Sequence, residues 1–199
     1  ENPTDNIQVK NNLIYNIGNG WLSDMGAIYT LGIQPDTVIS GNVIYNVGCD
    51  EGAYGYGGWG IYLDEGTSGM LVENNLVYDC SSETFHQHYG KENLVRNNIF
   101  AGQIRTQLEA SRVEQHLSFD FSHNIIHYSS GALCGINWAK VGHKSDYNCY
   151  FCTEGEQKIE FQGTSFSEWQ KKGQDVNSVI ADPQFSDIAA GDFTPKNKS

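Results

Sequence analysis

Short apolar runs recur along the chain, and an asparagine stands at the start of each one. The segments are NNLIYNIG, GNVIYNVG, ENNLVYDC, RNNIFAG, SHNIIHYS and DYNCYFC, and their asparagines are Asn12, Asn42, Asn75, Asn98, Asn124 and Asn148. Successive asparagines are 30, 33, 23, 26 and 24 residues apart. A repeat of this length, with a β-branched or aromatic run in every unit and no helical periodicity between runs, predicts a β-solenoid.

Two further apolar segments in most units predict three strands per coil. One segment lies just before the asparagine and the other lies further upstream; they cover 38–39, 71–72, 94–95 and 119–121, and 27–31, 60–63, 85–89 and 132–136. This layout is typical of an all-β, right-handed parallel β-helix with a narrow, fully buried core. We expect each asparagine to occupy a left-handed corner and to bond to the asparagine of the next coil.

The repeat fades after about residue 150. FSEWQKKG, which starts at Phe166, predicts one short helix, and DPQFSDIAAGDF indicates an irregular ending. Because the last coil of a solenoid exposes strand edges, it needs a cap. We therefore predict β-helix coils over residues 1–152 and a capping segment over residues 153–199. The first coil presents the same kind of edge, so a further β-helix portion is expected upstream, in a longer protein.

Composition narrows the classes of partner. The 12 Lys and Arg residues against 24 Asp and Glu give a formal charge of -12, which disfavours nucleic acid. The 22 glycines and 4 prolines suit the tight turns of an all-β protein. No apolar run is long enough for a bilayer, so no membrane partner is expected. The five cysteines lack zinc-binding spacing; we expect them to be unpaired core residues, with no metal and no cofactor.

Candidate chemistry starts in GWGIYLDEG, residues 58–66. Strand alternation places Tyr62 and Asp64 on the outward face. In the next unit, FHQHYG places His86 and His88 outward in the same way, 24 residues later in each case. This spacing predicts that Tyr62 lies beside His86 and Asp64 beside His88. The alternative is a solvated face without a function.

A second carboxylate, Asp24 in WLSDMGAIYT, belongs to the preceding unit. Glycoside cleavage needs two carboxyl groups that flank the bond, one as acid and one as base or nucleophile. Simple register puts Asp24 at the start of its strand and Asp64 at the end of the next. The glycine-rich loop and a bend near Gly26 are therefore expected to bring the two together.

Other polar and aromatic positions surround this pair. In QIRTQLEA, a strand would place Arg105, Gln107 and Glu109 on one face beside the histidines, where Arg105 and Glu109 contact substrate or pair with each other. Trp59 either stacks on a sugar or packs as a lid. Glu65, at the bend after Asp64, contacts substrate or only shapes the turn.

DMGAIYTLG, GGWGIYLDEGTSGMLVENNLVYDC and FHQHYGKENLVRNNIFA together resemble the secreted, pectate-lyase-like β-helix glycoside hydrolases, most closely glycoside hydrolase family 141, over about residues 10–150. The resemblance implies a bacterial enzyme that is secreted, periplasmic or on the cell surface and degrades pectin or xylan, as a fucosidase or a xylanase. Asp24 and Asp64 match the catalytic carboxylates proposed for that family, in an order that stays open. The residues expected around the sugar are Trp59, Tyr62, Glu65, His86, His88, Arg105 and Glu109.

Two other functions fit the same pattern. A polysaccharide lyase would use Asp24, Asp64 and Glu65 to hold Ca²⁺ against a uronate. A solenoid that only binds carbohydrate, or is only structural, would need no catalytic pair, because a fold does not determine a function. The separation of the Asp24 and Asp64 carboxyl groups discriminates between these hypotheses.

Overall fold

A computed structural model of the protein describes residues 4–50, 52, 56–102 and 105–196. Almost all of its regular structure is β-strand, in three parallel sheets that run along a stack of coils. The predicted all-β parallel β-helix with three strands per coil is therefore confirmed. Residues 1–3, 51, 53–55 and 103–104 of the predicted coils, and 197–199 of the predicted cap, lie outside the described residues.

Each sheet takes one strand from each successive coil. The first sheet contains Gln8–Lys10, Val38–Ser40, Leu71–Glu73, Asn93–Arg96, Phe119–Ser122 and His143–Asp146. The second sheet contains Leu13–Ile17, Val43–Val47, Leu76–Tyr78, Ile99–Gly102, Ile125–Tyr128, Cys149–Cys152 and Val179–Ile180. The third sheet contains Gly26–Thr30, Trp59–Leu63, Phe85–Gln87, Thr106–Ala110 and Ala132–Ile136.

The core is a single apolar column enclosed by the three sheets. Ile61, Leu63 and Phe85 are fully buried in it, as the alternation in their strands predicts. Ile39 of the first sheet and Ile44 of the second sheet reach the same column. Because inward positions are filled, groups that could meet a ligand project from the outer faces.

An asparagine ladder, formed by the six repeat asparagines, joins the coils at one corner. Each side-chain amide donates to the Oδ1 of the next asparagine at 2.9–3.3 Å, which confirms the predicted bonding. The predicted left-handed conformation of these asparagines is wrong. It is the preceding residue that turns the corner with positive φ, and this lets the asparagine side chain enter the interior; the corner residues are Asn11, Gly41, Asn74, Asn97, His123 and Tyr147.

The chain after residue 152 packs on the core of the coils through Ile159, Phe161 and Trp169. It contains a 3-10 turn (Glu156–Lys158), a hairpin (Glu160–Phe161 with Thr164–Ser165) and the helix Phe166–Lys171, as FSEWQKKG predicts. Trp169 stacks on Phe161 with 4.6 Å between ring centroids. The predicted boundary at residue 152, between the coils and a capping segment, stays a prediction.

The last described residues fold back along the second sheet. The antiparallel strands Phe185–Asp187 and Asp192–Pro195 pack there, with Phe193 5.1 Å from Tyr78. None of the helices in the described part of the chain is long and apolar enough to cross a membrane.

The five cysteines are free, as predicted. Cys80, Cys134 and Cys152 are buried, whereas Cys49 and Cys149 are only half-buried. The prediction that all five lie in the core is therefore correct for three of them.

Candidate functional site

A groove of about 590 Å³ lies on the outer face of the third sheet. All the predicted catalytic and substrate-binding residues line it, and these are Asp24, Trp59, Tyr62, Asp64, Glu65, His86, His88, Arg105 and Glu109. The sequence did not point to Glu83, Thr106, Ser111, Gly135 or Ile136, which line it as well.

Strand register builds the floor of the groove as a row of outward residues. Tyr29 pairs with Tyr62, Tyr62 with His86, His86 with Glu109, and Glu109 with Gly135. Because parallel strands stack in register, residues one coil apart become lateral neighbours. The predicted contact between Tyr62 and His86 is confirmed, with ring centroids 4.5 Å apart and an interplanar angle of 5°.

Asp64 is held by two tyrosine hydroxyls at the end of its strand. Its side chain is 7% exposed; Tyr62 donates to Oδ1 at 2.9 Å and Tyr29 donates to Oδ2. Burial, followed by the hydrogen bond to Asp64, raises the pKa of both tyrosines, so both hydroxyls stay protonated as donors. Tyr29 was missed, although it precedes Tyr62 by 33 residues, the same interval that separates Asn42 and Asn75.

His88 also lines the groove, just after the strand Phe85–Gln87 that contains His86. The backbone N–H of His88 donates to the carbonyl of Leu63 at 2.8 Å, which places His88 next to Asp64 across the strands.

Asp24 lies in the groove just before the first strand of the third sheet. The expected bend is at Asp24 itself, where φ is 50°. Partial burial, and then repulsion from Asp64, raises the pKa of Asp24, while His88 opposes the rise. Asp24 and Asp64 therefore interact electrostatically, although strand register separates them along the chain direction.

Glu83 and Glu109 form a second carboxyl pair in the groove. Trp59 Nε1 donates to Glu83 Oε2 at 2.7 Å, and Thr106 donates to Oε1. Burial, and then the hydrogen bond to Glu83, raises the pKa of Glu109 to about 9, against the opposing charge of Arg105. At neutral pH Glu109 is therefore protonated and donates to Glu83.

Trp59 belongs to the floor of this region rather than to an open sugar platform. It is only 3% exposed, and its ring centroid lies 4.4 Å from that of Tyr62 and 4.7 Å from that of His86. Glu83 follows Trp59 by 24 residues, the interval between Tyr62 and His86, and this spacing could have revealed it.

Ser111 lies between the two histidines. Its Oγ is 2.8 Å from His86 Nε2 and 2.6 Å from His88 Nδ1. Burial, and secondarily His88, lowers the pKa of His86 to about 3, so its ring is neutral. Glu109 Oε1 is 3.8 Å from His86 Nε2, which links the histidines to the carboxyl pair. Ser111 follows His88 by 23 residues, so the coil period also predicts this neighbour.

Gln107 does not share the groove face with Arg105 and Glu109, so that prediction is wrong. Its Nε2 donates instead to the carbonyls of Ser130 and Ala132 at 3.2 and 3.3 Å. These backbone acceptors of the next coil draw the side chain inward and interrupt the alternation.

Glu65 is exposed at the bend after Asp64. Its carbonyl accepts from the Gly32 N–H at 2.9 Å, so its backbone shapes the turn. Its carboxylate also contributes to the raised pKa of Asp24.

No known protein family, curated protein or solved structure matches the chain. Among the described residues, no group of three or more His, Cys, Asp and Glu side chains is arranged to hold a metal ion.

The groove combines carboxyl groups in contrasting environments. Asp64 accepts two hydroxyl hydrogen bonds, whereas Asp24 has a raised pKa and Glu109 carries a proton at neutral pH. Environments that differ in this way supply a base and an acid at the same pH. The arrangement is therefore chemically suited to acid–base catalysis on a bound neutral molecule.

Proposed function

We propose that this protein is a glycoside hydrolase acting on plant cell-wall polysaccharide, of the fucosidase or xylanase type that the resemblance to glycoside hydrolase family 141 implies. The observation that carries the proposal is the placement of Asp24 and Asp64 on one groove in opposite environments. Such a pair matches the acid and the base or nucleophile that glycoside cleavage requires. Because plant cell-wall polysaccharide lies outside the bacterial cell, the enzyme in this proposal is exported.

In this proposal Asp64 is the base or nucleophile and Asp24 is the acid. The hydroxyls of Tyr29 and Tyr62 donate to the Asp64 carboxylate and orient it. The raised pKa of Asp24 keeps a larger share of its carboxyl group protonated, which suits it to donate a proton to the leaving oxygen.

The remaining groove residues would bind the sugar hydroxyls. His88, Arg105 and Ser111 offer donors and acceptors along the floor. The rings of Tyr62 and His86 stack on each other and are only 5% and 3% exposed, so they support the floor as Trp59 does.

The test compares Asp64→Asn and Asp24→Asn with the wild type on xylan and on fucosylated pectin oligosaccharides. Loss of a positioned acid or base lowers rates by about 10²–10⁴-fold, so we expect at least a hundredfold fall in kcat for Asp64→Asn. For Asp24→Asn, kcat should fall less on an aryl glycoside with a good leaving group than on the two oligosaccharide substrates, because cleavage of the aryl bond needs little protonation of the leaving oxygen. Asp36→Asn, an exposed change outside the groove, is the control.

Cleavage by Asp64→Asn at the wild-type rate would refute the assignment. Products with ultraviolet absorbance, together with loss of activity in chelator, would indicate a polysaccharide lyase. Binding without cleavage by the wild type would indicate a carbohydrate-binding solenoid.

A further inference from the structure

Ile136 is an exposed aliphatic residue in a backbone conformation that β-branched residues avoid. It ends the strand Ala132–Ile136, lines the groove and is 56% exposed. Its φ is 46°, in the left-handed region, where a β-branched side chain clashes with its own backbone. Strain of this kind persists only where surrounding contacts impose it, and it concentrates at functional sites.

Contacts from three directions hold Ile136 in this conformation. Its carbonyl accepts a hydrogen bond from Gln162 Nε2, and Gln162 Oε1 accepts from the Ala139 N–H at 2.9 Å. The next residue, Asn137, donates from its backbone N–H to Ala110 and from Nδ2 to Ser111, both at 2.9 Å. The capping segment and the preceding coil together fix the Ile136 side chain at the groove wall.

The surroundings of Ile136 suit a sugar ring. Its neighbour Gly135 pairs with Glu109 and also lines the groove, and a Cβ there would lie 3.2 Å from the Thr106 side chain. Beside Gly135, Arg105 offers hydrogen-bond donors and Glu109 offers a carboxyl oxygen as an acceptor. An apolar surface next to a few fixed polar groups is the usual composition of a site for a small polar ligand.

Ile136 is too far from Asp64 to touch the same sugar ring. The strands Phe85–Gln87 and Thr106–Ala110 lie between the strand of Asp64 and that of Ile136. Three strand spacings of about 4.8 Å give a separation of about 14 Å along the stack. A ligand that meets both residues is a chain of sugars lying along the axis of the coils.

We propose that Ile136 forms a distal subsite, in which its side chain packs against the C–H face of a sugar residue in an oligosaccharide chain. The proposal rests on the proposed function, since it extends the same groove. It makes this protein an enzyme that prefers oligomers to single glycosides.

The experiment uses Ile136→Gly, which removes both the side chain and the strain, and Ile136→Asn, which tolerates positive φ but is polar. Asp36→Gly is the matched control, because Asp36 has φ of 60° and is exposed outside the groove. We expect an unchanged or higher Tm for Ile136→Gly. We also expect both Ile136 variants to bind xylohexaose or a fucosylated pectin oligosaccharide about fivefold or more weakly by calorimetry. Their kcat/KM on an aryl monoglycoside should stay within about twofold of the wild type, because the distal contact is not used.

Affinity for both oligosaccharides equal to that of the wild type, including no binding by either protein, would overturn the subsite. Equal losses on the oligosaccharide and on the monoglycoside would also overturn it. Oligosaccharide binding that depends on Ile136, without any cleavage by the wild type, would refute the hydrolase and support the subsite.

Discussion

Asn98 lies in the middle of the asparagine ladder, and its replacement by alanine measures how strongly the ladder couples the coils. Its Oδ1 accepts from the backbone N–H and the Nδ2 of Asn75 at 3.0 and 2.9 Å. Its Nδ2 donates to Asn124 Oδ1 and to the carbonyls of Val72 and Arg96 at 2.9–3.0 Å. Asn98 itself is 1% exposed, so water cannot replace these partners in the intact stack.

The expected cost follows from the groups that Asn98→Ala leaves behind. The Asn75 backbone N–H loses the acceptor described above and stays buried, and an unsatisfied buried donor costs about 1–3 kcal/mol. Each of the other lost hydrogen bonds contributes about 1 kcal/mol or less, so the free energy of unfolding should fall by about 3–5 kcal/mol. The control, Asn12→Ala, removes an exposed side chain that donates only to Asn42, and it should cost less than about 1 kcal/mol.

Urea unfolding followed by far-ultraviolet circular dichroism gives both values, provided that the m-value is unchanged. A lower m-value for Asn98→Ala would show that the stack unfolds in two parts, as solenoids can when an interface between repeats is weakened. If Asn98→Ala and Asn12→Ala differ by less than about 1 kcal/mol, the ladder is not a main source of coupling and this reasoning fails.

Two further changes test the groove and the core. Folding raises the pKa of Glu109 from 4.5 to about 9. Between these two pH values the folded state binds more protons than the unfolded state, so the free energy of unfolding of the wild type falls as the pH rises from 4.5 to about 9. Glu109→Gln stays neutral and should reduce the difference in Tm between pH 5 and pH 9; an unchanged difference would contradict the assigned protonation. At Gly60 a Cβ would lie 2.2 Å from Val77 Cγ1, so Gly60→Ala should cost about 3 kcal/mol in urea unfolding. At Gly163, with open space but φ of 82°, alanine should cost about 1 kcal/mol, and similar costs at both glycines would argue against the tight packing.

Neighbours across coils were predictable because stacked parallel strands turn a sequence interval into a contact. The interval of 24 residues predicts that His86 lies beside Tyr62, and the two residues pair across adjacent strands. The interval of 24 residues also leads from Trp59 to Glu83, and an interval of 23 residues leads from His88 to Ser111, so both neighbours were predictable from the coil period.

Features that depend on tertiary hydrogen bonds could not be predicted in this way. Gln107 turns inward because carbonyls of the next coil are within reach, although strand alternation predicts the opposite. The strained φ of Ile136 is accompanied by a hydrogen bond from Gln162, which is distant in sequence and lies after the last repeat. The location of Asp24 on the same groove as Asp64 likewise depends on a bend at Asp24 that strand periodicity does not specify.

The asparagine ladder gives the coil stack an electrical direction. In each internal asparagine of the ladder, the Oδ1 faces the preceding coil, the backbone N–H and one side-chain N–H face the next coil, and the side-chain amide also donates back to a carbonyl of the preceding coil. At the C-terminal end, Asn148 donates from Nδ2 to Asp175 Oδ1 at 3.0 Å and from its backbone N–H to Ser178 Oγ at 2.8 Å. The aligned side-chain carbonyls and backbone N–H groups resemble those of a helix, and the Asp175 carboxylate stands where an acidic residue stabilises a helix N-terminus. Each internal coil both donates and accepts, so a whole coil can be inserted without altering the bonding at either end. The two ends are not interchangeable, because one must supply an acceptor and the other a donor.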